Sequence, residues 1–78
     1  MVIDKEQLDQ LNAYARSHAG ELRVTVQCDV FWLSINVVTH VGKGNLYRNK
    51  STPLTDVPDI AAAKQIIDHA IRAMRSGN

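Results

Sequence analysis

Three histidines, one cysteine and eight acidic residues are the side chains in this 78-residue chain best suited to acid–base, nucleophilic or metal chemistry. Their spacing argues against each. His18, His40 and His69 lie too far apart for a helical or looped ligand pair, and Cys28 stands alone. A single cysteine can close no intrachain disulfide and can build no cysteine-rich metal site. Asp68 and His69 are adjacent, and consecutive residues of a helix do not face each other. Gly42-Lys43-Gly44 carries part of a phosphate loop, yet lacks the full spacing and the Lys-Ser/Thr ending at a helix start. It reads instead as a hairpin turn. The expectation is a protein that is not an enzyme and holds no metal and no cofactor.

The elements that would position any site are legible from periodicity. Asp4 and Gln7 have capping-box spacing, and Ile3 and Leu8 bracket them as a hydrophobic staple. Leu8, Leu11 and Ala15 then fall on one face, with Tyr14 or His18 beside them, and Gly20 supplies a stop. A helix over residues 5–19 follows. Two alternating stretches come next, 22–28 and 31–37. Paired as a hairpin, they set Cys28 against Phe31, Val26 against Leu33, Val24 against Ile35 and Leu22 against Val37, all on one face. The opposite face receives Arg23, Thr25, Gln27, Trp32, Ser34, Asn36, Val38 and His40. The turn at 42–45 leads into a short third strand from Leu46 to about Lys50, with Leu46 inward and Tyr47 outward. Residues 51–57 read as a connector held by Pro53. Pro58 suits the first turn of a second helix, lined by Ile60, Ala63, Ile67, Ala70, Ile71 and Met74 and stopped at Gly77.

Two amphipathic helices and one apolar sheet face predict a single α+β domain over residues 1–78. It is a two-layer sandwich in α-β-β-β-α order, with an antiparallel sheet and both helices on one face. That order resembles the double-stranded RNA-binding domains. Leu11-Asn12-Ala13-Tyr14-Ala15 and Ala61-Ala62-Ala63-Lys64 are similar to the beginnings of that family's two helices. The resemblance implies a lysine cluster at the start of the last helix to meet phosphates, where this chain has Asp56-Val57-Pro58-Asp59. It also implies a Gly-Pro-x-His loop that the first two strands here do not share. The chain is therefore not assigned to that family.

Nine bases against eight acids give a net charge of +1 and a pI near 7.9, so no global field draws a polyanion. Residues 30–55 nevertheless carry Lys43, Arg48 and Lys50 and no acid. With no signal-peptide pattern, no membrane-length apolar run and one thiol, a cytoplasmic protein is expected. The open sheet face holds the only tryptophan. A protein partner or a second copy of the chain is expected there, at Arg23, Trp32, Val38, His40, Lys43, Tyr47, Arg48 and Lys50. Such a module suits a regulatory or inhibitory accessory protein of bacteria or their phages, for example an inhibitor of host defence. Nucleic-acid binding by the basic 43–50 segment with Trp32 and Tyr47 is the alternative.

Overall fold

The computed structural model describes residues 1–41 and 44–76, with the side chains of His40 and Val41 outside the description. Helix α1 spans Lys5–Ala19, and strands β1, β2 and β3 span Arg23–Cys28, Trp32–Val41 and Gly44–Pro53. A 3-10 turn at Leu54–Asp56 leads to helix α2, Ile60–Arg75. The sheet is antiparallel in the order β1-β2-β3. α1 packs on β1, α2 packs on β2, and the helices pack on each other. The expected α-β-β-β-α sandwich is the observed architecture.

Local chemistry sets the helix ends. The Asp4 carboxylate accepts from the Gln7 N–H at 2.8 Å while the Gln7 side chain accepts from the Asp4 N–H at 3.1 Å, completing the capping box. α1 ends at Gly20, whose φ of 61° with ψ of −122° belongs to glycine alone. The Arg75 guanidinium lies 2.9 Å from where a Cβ on Gly20 would stand. It donates there to the His18 and Ala19 carbonyls, satisfying orphan acceptors at the end of α1. α2 is capped by Asp59, which accepts from the Ala62 N–H at 2.8 Å. Pro58 thus precedes the cap and is not in the first turn. The far end is closed by Ser76, and the expected stop at Gly77 lies outside the described residues.

The first hairpin keeps the expected faces and shifts the register by two. Cys28 pairs with Leu33, Val26 with Ile35 and Val24 with Val37. A shift of two preserves side-chain parity, so Val24, Val26, Leu33, Ile35 and Val37 all remain in the core. Phe31 does not join them. Its backbone is captured by Asp29, whose carboxylate accepts from the N–H groups of Phe31 and Trp32, both at 2.7 Å. The Asp29 N–H donates to the Trp32 carbonyl at 3.0 Å. This Asx-type turn needs no positive φ, a conformation that the β-branched Val30 would resist.

β3 departs most from expectation. It is ten residues long, pairs with β2 from Gly44 to Pro53, and absorbs the front of the predicted connector. Leu46 is on the helix side, opposite Thr39, but is exposed and not in the core. The reason is dimensional. A ten-residue strand reaches ~33 Å, a 15-residue helix only ~22 Å, so the β2–β3 ribbon projects past both helices. The overall dimensions of 39 × 20 × 17 Å agree.

Candidate functional site

The expected site residues divide between the two sides of the sheet. Cross-strand pairing brings Arg23, Val38 and Tyr47 into one row across three strands, all on the face without helices. Trp32 shares that face but stands opposite Pro53, six residues along β2 from Val38 and therefore ~20 Å away. The backbone of His40 pairs with Asn45, and its side chain lies outside the description. Arg48 pairs with Val37 and Lys50 with Ile35, which puts both cations on the helix side. Lys43 lies outside the described residues. The eight residues therefore do not form one surface, and Arg48 and Lys50 are separated from Trp32 and Tyr47. A nucleic-acid platform of Trp32 and Tyr47 ringed by Arg48 and Lys50 is not assembled.

Between the two ends, the open face is a lattice of short polar side chains that satisfy one another. The Tyr47 hydroxyl donates to Asn36 Oδ1 at 2.8 Å, and the Ser34 and Ser51 hydroxyls meet at 3.2 Å. Asn49 reaches Tyr47, and Ser51 reaches Asn49, each at 3.5 Å. Such a surface is well hydrated and offers little apolar area to a partner.

The apolar exposure collects instead at the β1–β2 turn. Val30 is 82% exposed, Phe31 72%, Trp32 46% and Val2 88%. Val2, Ile3, Val30 and Leu54 line one shallow crevice with Cys28 and Asp29, so the N-terminal segment lies against the turn. The Cys28 Sγ approaches the Ile3 carbonyl at 3.9 Å. Three consecutive apolar residues on a turn contradict the usual polarity of turns. Here Asp29 fixes their backbone, and the Phe31 and Trp32 N–H groups hold its carboxyl below the usual carboxylate range. Val2, Val30 and Phe31 are the site residues that sequence reasoning missed. The signal was Val30-Phe31-Trp32 directly after a turn-forming aspartate, obscured by assigning Phe31 to the core.

Two further groups bear on chemistry. Burial pushes the Cys28 thiol up, and the Asp29 carboxylate beside it adds to the shift, so a reactive thiolate is disfavoured. Tyr14 donates to both Asp68 carboxylate oxygens at 3.0 and 2.8 Å, joining α1 to α2. Its ring stacks at 4.1 Å on His18, and the Lys64 ammonium lies 5.3 Å from its centroid. The Asp68 bond raises the phenol, and burial and the carboxylate charge add to that shift, opposite to what a nucleophile or base requires. The arrangement is an interhelical tie. Among the described residues no group of three or more His, Cys, Asp or Glu side chains could hold a metal ion. No helix among them is long and apolar enough to cross a membrane. No family model, curated protein or solved structure matches this chain.

Proposed function

We propose that this protein is a non-enzymatic binding module that engages a protein partner through the apolar tip formed by Val2, Val30, Phe31 and Trp32. The observation that carries the reading is the rigid presentation of Val30-Phe31-Trp32. A turn held by two 2.7 Å bonds to Asp29 offers large apolar side chains with little ordering cost left to meet on binding. Aromatic anchors in such settings dominate association energies, at about 2 kcal/mol or more each. The open sheet face contributes its Trp32 end only.

The test replaces Phe31 with a photo-crosslinking phenylalanine analogue in the cells that produce the protein. The same analogue at Thr25, in the polar middle of the open face, is the control. A discrete protein adduct from position 31 and none from position 25 is expected. Phe31→Ala with Trp32→Ala should abolish that adduct from a photoreactive residue at Val30, with the melting temperature little changed. Equal labelling from both positions, or none, refutes the reading.

A further inference from the structure

We infer that β3 is a docking edge for an acidic, extended segment of another polypeptide, which adds to the sheet as a fourth strand. This surface is separate from the apolar tip and the inference does not rest on it.

The backbone supplies the first argument. The Leu54 N–H donates to the Phe31 carbonyl at 2.9 Å, which fixes the phase of the β2–β3 ladder. Antiparallel pairs alternate, so Thr52, Lys50, Arg48 and Leu46 turn their main-chain groups toward β2. Tyr47, Asn49 and Ser51 turn theirs outward, and no partner meets them among the described residues. The opposite edge of the sheet is blocked at its centre. Asn12 of α1 accepts from the Val26 N–H at 2.9 Å and donates to the Val26 carbonyl at 3.0 Å, acting as a one-residue strand. Strand addition is thus directed to β3.

Charge selects the occupant. Arg48 and Lys50 project on the helix side, along a trench between β3 and α2. Two depressions of about 290 and 490 Å³ meet there at Lys50 and His69. Ala62, Ile66, His69 and Ala73 form the α2 wall, spaced as one helical stripe. The carboxylate present is Asp56, at the far end beyond Lys50, and neither cation has an ion-pair partner among the described residues. Alternate side chains of an added strand would point into this trench beside Arg48 and Lys50. Acidic residues there are attracted directly. A second copy is disfavoured, because two-fold pairing about residue 48 or 49 sets Arg48 against Arg48 or against Lys50.

The experiment follows the backbone amides of the full chain by NMR as three eight-residue peptides are added. The first alternates Glu with Val and Thr, the second has Lys in place of Glu, and the third is the Glu peptide with alternate amides N-methylated to block the bonding edge. The Glu peptide should protect the Tyr47, Asn49 and Ser51 amides from hydrogen exchange, and methylation should remove that protection. The Lys peptide should bind about fivefold more weakly. Arg48→Glu with Lys50→Glu, both exposed positions, should reverse the preference; the peptide comparison on the unaltered protein stands without it. The inference is overturned if the Glu peptide at about 1 mM leaves these amides unprotected, or if the Lys peptide binds equally well. It is also overturned if single-stranded oligonucleotide protects them instead, or if raising the protein concentration alone does so, which would identify a second copy.

Discussion

The two edges of this three-stranded sheet are built from similar backbone and finished in different ways. β1 is six residues long, lies under α1, and has the outward amide and carbonyl of Val26 satisfied by one asparagine. β3 is ten residues long, projects beyond both helices, and carries only Arg48 and Lys50 as guards. Both devices limit uncontrolled pairing, since an edge strand is a template for another chain. They do so at different strengths. A side-chain amide blocks the bonding groups themselves, whereas a pair of cations repels some partners and attracts others. A sealed edge contributes stability, and a charged edge contributes selectivity.

The contrast can be broken first in the core. Leu33 is fully buried on β2 beneath the helices, and Leu33→Ala should cost about 2–5 kcal/mol in a denaturant titration. A loss that large threatens a domain of this size. Asn12→Ala comes next, because it leaves the Val26 N–H and carbonyl without their partner, at about 1–3 kcal/mol. It should also open the β1 edge, so ultracentrifugation should detect more self-association than in the parent. A destabilised monomer with no such tendency would show that α1 covers the edge without Asn12.

Acid should loosen the apolar tip selectively. The folded-state pKa of Asp29 is lowered by the Phe31 and Trp32 amides, so its contribution is present above the unfolded value and is lost as pH falls through the folded one. Below about pH 4 the Phe31 and Trp32 amides should exchange faster and the Trp32 fluorescence should shift, while the β1 amides bonded across to β2 stay protected. Asp29→Asn, which keeps an acceptor oxygen, should flatten that pH response. The smallest effect belongs to the projecting ribbon. Leu46→Ala should alter stability by no more than about 0.5 kcal/mol, and a loss near that of Leu33→Ala would place Leu46 in the core after all.

Much of the fold was legible because it depends on local rules. Ile3-Asp4 with Gln7-Leu8 announces the start of α1, and the capping box forms as the spacing requires. Apart from Phe31, the alternation from Leu22 to Val37 assigns core and open faces correctly even with the register off by two, since parity survives an even shift. The candidate site was less legible. Nearness in sequence and residue type group Arg48 and Lys50 with Trp32 and Tyr47, but strand alternation sends them to opposite sides. Phe31 read as a core residue because nothing local distinguishes an inward from an outward phenylalanine at a hairpin end.

The sequence by itself determined the caps of α1, the helix stripes, the two faces of the first hairpin apart from Phe31, and the order of elements. Each of these rests on interactions between residues a few positions apart, or on a periodicity of two or 3.6. Only the tertiary structure decided that Asn12 closes the β1 edge, that β3 outruns the helices, and that Val2 joins Val30 at the tip. These depend on distances between elements, and no pattern along one segment reports how far its neighbour extends.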